Sequence, residues 1–294
     1  MISKAAPRAL VVRYVRLCTY HVFLFTVNNS SSFQFLGKWI FAPAYLLTQL
    51  QYGLCCLPPS LTFLHSLAEG ATVWFCSRTE GDVRARHIEW SKAYPSAKNY
   101  GMTTDVSSPE SVSEFVSNAV AASGQIDIII PNVSALLMDD TVEAWTTLFN
   151  TDMLSTITLV NAALPHLEKS HGNIVAIGSV SGRMIDMSAP GPYGAFKAAL
   201  NHYMAQLART LAPKGIRANT VSPGTTYVED GFWGNVEKGK PEMFKQVVAA
   251  NPMGRMGTPE EIANAVVFLA SERASFISGT NLIVDGALGA GVQF

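Results

Sequence analysis

From Leu67 to Ala287 the chain alternates short apolar runs with amphipathic stretches, and this alternation narrows the possible folds more than any other feature. The apolar runs are ATVWFCS (71–77), the start of NYGMTTDV (99–106), QIDIIIPN (125–132), GNIVAIGS (172–179), GIRANTVSPG (215–224) and TNLIVDGA (280–287). Between them lie helical patterns: a charged segment after 77, SPESVSEFVSNAVAAS (108–123) with a Ser108 cap, a long stretch 140–169, 192–212, and TPEEIANAVVFLAS (258–271) with Pro in its first turn. QIDIIIPN is apolar almost without a break, as a strand covered on both faces must be. Strands alternating with helices at this spacing predict an α/β fold: a doubly wound parallel sheet in three layers. A hydrophobic content of 48% with 15% charged residues suits such a packed domain. Ligands of these sheets sit beyond the carboxyl ends of the strands, which points to Arg78, Asp105, Asn132, Ser179 and Gly224.

Residues 1–60 do not share the pattern. Residues 1–68 hold no acid and five bases (Lys4, Arg8, Arg13, Arg16, Lys38), whereas the net charge of the chain is −1. Three readings fit: an organelle-targeting segment, a membrane-prone segment built on the uncharged stretches 17–37 and 39–68, or sequence translated outside the normal frame, as from an unusual splice form. The third is favoured, because Pro43, Pro58, Pro59 and the 28–32 polar run interrupt both stretches. The domain division is therefore an atypical segment 1–60 and a single nucleotide-binding-type domain 61–294. The cysteines (Cys18, Cys55, Cys56, Cys76) lack metal-ligand spacing and read as plain thiols in a reducing, cytoplasmic setting, with no metal expected. The Asn-x-Ser triplets at 28–30, 29–31 and 132–134 read as accidental. Near-neutral charge gives no reason to expect a nucleic-acid partner.

The strongest chemical constellation is Ser179, ending NIVAIGS, with Tyr193 and Lys197 in PYGAFKAAL. Tyr and Lys four apart share one helix face. A free phenol, with a pKa near ~10, is a poor acid-base group at neutral pH unless a cation stabilises its phenolate. Lys197 supplies that cation and can also hold a ribose hydroxyl. A serine hydroxyl from the neighbouring strand end can bind the oxygen of a carbonyl being reduced. Tyr94 and Lys98 have the same spacing, but Pro95 biases Tyr94 away from helix and no serine-ended strand precedes it.

With these residues in place, the chain resembles the short-chain dehydrogenase/reductase family over about residues 64–294. The likeness rests on LAEGATVWFCSR, TDV, DIIIPN, the helix 145–165, IGSVSG, YGAFK, IRANTVSPG and GRMGTPEEIANAVVFLAS…ISGTNLIVDGA, in that order. It implies a Rossmann-type sheet, a nicotinamide cofactor, Ser179 as the residue orienting the carbonyl, Tyr193 as catalytic acid-base and Lys197 as its partner. It further implies that Asp105 holds the adenine amine, Asn132 the adenine ribose region, and Thr225 or Thr226 the nicotinamide side. An NAD enzyme places an acid at the end of the second strand. Here that corner reads Cys76-Ser77-Arg78, and a guanidinium suits a 2′-phosphate, so NADP(H) is expected.

Three departures stand against the likeness. Pro131-Asn132-Val133-Ser134 replaces the family's Asn-Asn-Ala-Gly. Asp152 stands where the family's fourth catalytic residue is Asn; it can accept a hydrogen bond, but its charge would lie near Lys197 and alter the proton relay. The G-x-x-x-G-x-G turn is missing. Gly178 and Gly182 lack a third glycine, and only three residues follow Gly291. ALVV (9–12) and VFLFTV (22–27) are the candidates to replace the first strand, without which the neighbouring strands would leave buried backbone groups unpaired at ~1–3 kcal/mol each.

The bulky groups between Thr225 and Arg255 (Tyr227, Phe232, Trp233, Met243, Phe244, Met253) read either as a substrate cover or as helix-packing core. The first reading implies a fairly large apolar ketone or secondary alcohol, such as a polyketide or fatty-acyl ketone of secondary metabolism. A homodimer or homotetramer is expected. The competing expectation is a catalytically impaired relative that cannot bind cofactor.

Overall fold

The computed structural model describes residues 71–291 and the backbone course of residues 9–16 and 18–27. Residues 28–70, which include Cys55, Cys56, the polar run 28–32, the rest of the uncharged stretch 17–37 and all of 39–68, lie outside the described residues. The strands are β1 (Ala9–Arg16), β2 (Cys18–Val27), β3 (Ala71–Ser77), β4 (Asn99–Thr103), β5 (Ile128–Asn132), β6 (Asn173–Ile177), β7 (Arg217–Pro223) and β8 (Asn281–Val284). The helices are α1 (Glu80–Ala93), α2 (Pro109–Ser123), α3 (Val142–Leu148), α4 (Ser155–Ser170), α5 (Pro192–Leu211), α6 (Phe232–Gly239), α7 (Pro241–Ala250) and α8 (Pro259–Ala270).

One sheet runs β4-β3-β2-β1-β5-β6-β7-β8. The pairs β3–β4, β5–β6, β6–β7 and β7–β8 are parallel, as the alternating pattern requires. The centre differs from a purely parallel sheet. The two candidate replacement stretches form an antiparallel hairpin there, β1 lying parallel to β5 and β2 antiparallel to β3. A single strand would have joined β3 to β5. Two strands in a tight hairpin instead satisfy the edges of both neighbours, at the cost of one strand running against the sheet.

Period-2 alternation sends side chains to both faces of the sheet. Ile129 of β5 and Ile174 and Ala176 of β6 join Phe115 of α2, Leu159 and Leu167 of α4 and Leu200 of α5 on one side. Ile130, Val175 and Ile177 join Trp90 of α1 and Ile262, Val266 and Leu269 of α8 on the other. This is the three-layer sandwich, and it explains why β3 and β6 are buried at every position.

The helix ends follow local chemistry. Ser108 caps α2, its hydroxyl accepting from Ser111 N at 3.2 Å, and Gly124 closes that helix at a φ of 77°. Thr258 and Glu261 form a reciprocal capping box on α8. The stretch 140–169 is not one regular helix. A π turn, Phe149–Leu154, joins α3 to α4. Such turns carry an extra residue and often mark functional positions; this one holds Asp152.

Candidate active site

The β6 strand ends at Ile177, and the chain turns through Gly178 into a short 3-10 turn, Val180–Gly182, whose N-cap is Ser179. Glycine is required at both flanks by close approach. A Cβ on Gly178 would lie 2.6 Å from Ser222 Oγ, and one on Gly182 would lie 2.6 Å from the carbonyl carbon of Lys197. The serine turn therefore packs directly on the backbone of α5, and this contact joins Ser179 to the first turns of that helix.

Pro192 opens α5, Tyr193 follows it and Lys197 stands one turn further on, its ammonium 5.7 Å from the centre of the Tyr193 ring. Both side chains are buried. Lys197 Nζ donates to Ile177 O at 3.2 Å and to Val133 O at 3.3 Å, so it bridges the carboxyl ends of β6 and β5. Asp152 Oδ2 lies 3.5 Å from the same nitrogen. Asp152 Oδ1 accepts from Ala135 N at 2.9 Å and from Thr151 Oγ1 at 3.0 Å. The side chains of Lys197 and Asp152 are 3% and 1% exposed, so neither charge has solvent to compensate it and each depends on the other.

Ser179 and Tyr193 open onto a cleft with about 220 Å³ of space accessible to water. Leu136, Met138, Val180, Val228, Phe232 and Trp233 supply much of its apolar wall. Of the bulky residues singled out in the sequence, only Phe232 and Trp233 line it. Tyr227 instead packs edge-on against Phe244, with ring centres 5.8 Å apart, and its hydroxyl donates to Glu237 at 2.5 Å. That hydrogen bond to a carboxylate pushes the Tyr227 phenol up to about 12, so it is no second acid-base group. Met253 is exposed, and Met243 does not reach the cleft. Val228, Val247 of α7 and Leu288, which had no distinguishing pattern, complete the wall.

The remaining expected residues fall along the carboxyl edge of the sheet. Ser77 ends β3, wholly buried, and Arg78 follows it, exposed. Asp105 Oδ1 accepts from Ser107 N at 2.9 Å and Ser107 Oγ at 2.7 Å. Asn132 ends β5, half-buried. Thr226 spends its hydroxyl on Gly224 O at 3.2 Å. Among the described residues, Thr225 Oγ1 and Ser77 Oγ are buried with no protein partner. Orphaned hydroxyls at both ends of this edge, with the Tyr193–Lys197 pair between, fit the two ends of a dinucleotide. No glycine-rich turn for its phosphates occurs among the described residues. β1 pairs Arg13 with Asn132, the last residue of β5, and runs on to Arg16 across the crevice where strand order reverses.

A doubly wound sheet with a buried Tyr-Lys pair and a serine at one cleft is the arrangement of an oxidoreductase family that uses nicotinamide cofactors. Residues 65–288 match the family model described as enoyl-(acyl carrier protein) reductase, and the chain belongs to the short-chain dehydrogenase/reductase family. It is 38% identical over 235 residues to isoepoxydon dehydrogenase patN of Penicillium expansum, covering 78% of this chain and 89% of that protein. It is 34% identical over 226 residues to the 3-oxoacyl-[acyl-carrier-protein] reductase FabG of Escherichia coli, covering 75% of this chain and 88% of that protein. The NADPH-bound structure of a short-chain oxidoreductase from Pseudomonas aeruginosa, whose catalytic centre is atypical, superposes with a TM-score of 0.70 at 26% identity. That match covers 79% of this chain and 93% of the other.

Proposed function

We propose that this chain is an NADP-dependent reductase that interconverts a ketone and a secondary alcohol on a polyketide- or fatty-acyl-like substrate. The observation that carries the reading is the buried Tyr193–Lys197 pair opening with Ser179 onto an apolar cleft. A nicotinamide cofactor, when bound, would supply the hydride-transfer chemistry at the carbonyl carbon. In reduction, Ser179 donates a hydrogen bond to the carbonyl oxygen and Tyr193 gives that oxygen its proton. Lys197 stabilises the phenolate left behind until solvent returns the proton. Lys197 is itself held by the carbonyls of Ile177 and Val133 and by Asp152, so its charge is fixed in place before the reaction. Ser77 and Arg78 would hold the adenosine 2′-phosphate, Asp105 and Asn132 the adenosine, and Lys197 with Thr225 or Thr226 the nicotinamide side. Thr225 suits that task better, because the hydroxyl of Thr226 is already bonded.

The exposed apolar side chains Val142, Trp145 and Phe149 favour a homodimer or homotetramer built on the α3–α4 face. No helix among the described residues is long and apolar enough to cross a membrane, and a cytoplasmic enzyme is the reading adopted.

Titration with NADPH, followed by cofactor fluorescence, tests the proposal. Saturable binding that tightens relative to NADH supports it. The central hairpin, with no glycine-rich turn among the described residues, favours a second reading, a relative unable to bind cofactor. Absence of any saturable binding selects that second reading.

A further inference from the structure

Among the described residues that line the cleft, Asp186 is the one ionisable side chain other than Tyr193. It takes part in none of the ion pairs among the described residues. Its contacts are all neutral donors. Oδ2 accepts from Ser181 Oγ at 2.7 Å, while Oδ1 accepts from Ser188 N at 2.9 Å and Ser188 Oγ at 2.6 Å. A carboxylate offers about four lone-pair directions, and three are used, so one acceptor direction on Oδ2 is spare. Asp186 is half-buried, so solvent or a ligand can meet that spare direction.

Asp186 is also wired to the reacting end of the cleft. A carboxylate only accepts, so Ser181 must give its single proton to Asp186. The 3.1 Å contact between Ser179 Oγ and Ser181 Oγ must then use the proton of Ser179. Hence Asp186 stands two hydrogen bonds from the hydroxyl that would meet the substrate oxygen, and it draws the Ser179 proton toward itself. A substrate hydroxyl that donates to Oδ2 competes with Ser181 for the carboxylate. This weakens the pull on Ser179 and frees its proton for the carbonyl.

We infer that Asp186 is a specificity-determining residue that accepts a hydrogen bond from a substrate hydroxyl a few bonds from the reacting carbonyl, so that the cleft takes hydroxylated ketones with an apolar body and rejects anionic ones. The inference rests on the proposed ketone/alcohol chemistry and narrows its substrate class. A site built around a substrate hydroxyl discriminates strongly against the analogue lacking it.

The test uses two ketones that differ by one hydroxyl, 4-hydroxy-1-tetralone and 1-tetralone. Their binding is read through the change in tryptophan fluorescence, to which Trp233 in the cleft contributes, and their turnover through NADPH consumption. The full-length chain is expected to prefer the hydroxylated ketone by at least about tenfold. D186A is expected to bring that ratio close to one by costing more affinity for 4-hydroxy-1-tetralone than for 1-tetralone, and D186N, which keeps the shape, to lower it part of the way. An ion or loop role that is merely structural would weaken both ketones alike. Equal binding of the two ketones by the unaltered chain, or a ratio that survives D186A and D186N, overturns the inference. Because binding is read separately, a chain that discriminates between the ketones but turns over neither upholds the Asp186 assignment and refutes the reductase reading.

Discussion

Replacing Asp152 with alanine removes an anion from a place where nothing else can substitute for it. In the folded chain its two oxygens answer two different donors: Oδ1 takes Ala135 N–H at 2.9 Å, and Oδ2 faces Lys197 Nζ at 3.5 Å. Loss of the first takes from Ala135 N–H its hydrogen bond to this carboxylate, worth about 1–3 kcal/mol. Loss of the second leaves a buried ammonium without its counter-ion, worth about 3–5 kcal/mol when no other acceptor exists. Lys197 does keep two carbonyl acceptors, so the two losses do not add in full, and D152A is expected to cost about 4 kcal/mol. For a chain of this size that is a fall in Tm on the order of 10 °C. D152N retains one acceptor. Either orientation of its amide sets an NH2 against a donor, so it is expected to lose about half as much. Urea unfolding and thermal melting of both variants measure the costs. A double-mutant cycle with K197M then isolates the pair, with a coupling of at least about 1 kcal/mol expected. A D152A protein within about 0.5 kcal/mol of the parent, or a D152N protein less stable than D152A, would refute the argument that Asp152 compensates Lys197.

Other expectations are more quickly stated. Y193F should keep the fold and NADPH binding but lose turnover by about a hundredfold or more, since general acid catalysis contributes that much; residual activity near the parent's would remove Tyr193 from the mechanism. G182A should lower kcat by about a hundredfold with the cleft residues unchanged, because the added methyl meets the α5 backbone and pushes Ser179 away from Tyr193. The carboxyl of Glu261, hydrogen-bonded by Arg255 and by Thr258 N, is held down to about 2 from an ordinary 4.5. A lowered folded-state value means that the stabilisation is complete above about pH 4.5 and is lost as pH falls toward 2. The stability gap between parent and E261Q, measured in urea, should therefore be constant at neutral pH and close below pH 4.5; a gap that widens in acid contradicts the sign.

Some of this architecture was legible because β3, β5 and β6 are nearly continuous apolar runs and both faces of the sheet are covered. Ser179, Tyr193 and Lys197 were legible for another reason: a fixed spacing on one helix, preceded by a serine-ended strand, leaves little freedom in where they meet. The π turn at Phe149–Leu154 was not, since one inserted residue barely disturbs a helical period over a stretch of that length. Size alone misdirected the cleft assignment. Phe244 and Met243 are large, yet α7 turns Val247 and Ala250 toward the cleft, and a ten-residue helix gives no sign of which face will do so. Asp186 was missed because a loop has no period, and its importance comes from Ser181 and Ser188 folding around it. ALVV and VFLFTV were legible as candidates for the first strand, and both stand in the sheet. That both would be used, side by side and in opposite directions, depends on pairing that no local pattern encodes.

Hydrogen-bond accounting gives the sharpest test of whether the cofactor edge still works without that turn. Ser77 Oγ and Thr225 Oγ1 are buried at the ends of the edge and make no bond within the protein. Burying a hydroxyl without a partner costs free energy, so removing either one should not weaken the free chain. S77A and T225V are expected to melt within about 1 °C of the parent, or slightly above it, in the absence of cofactor. If these hydroxyls meet the dinucleotide, the same variants should respond less to it. At a hundredfold excess over its Kd, NADPH should stabilise the parent by about 2.7 kcal/mol, and at that same concentration each variant should show a clearly smaller rise in Tm. Free variants that melt well below the parent would show the hydroxyls to be bonded already. Variants with an undiminished NADPH response would place the cofactor elsewhere, and a parent with no response would leave the hairpin as the element that closes the site.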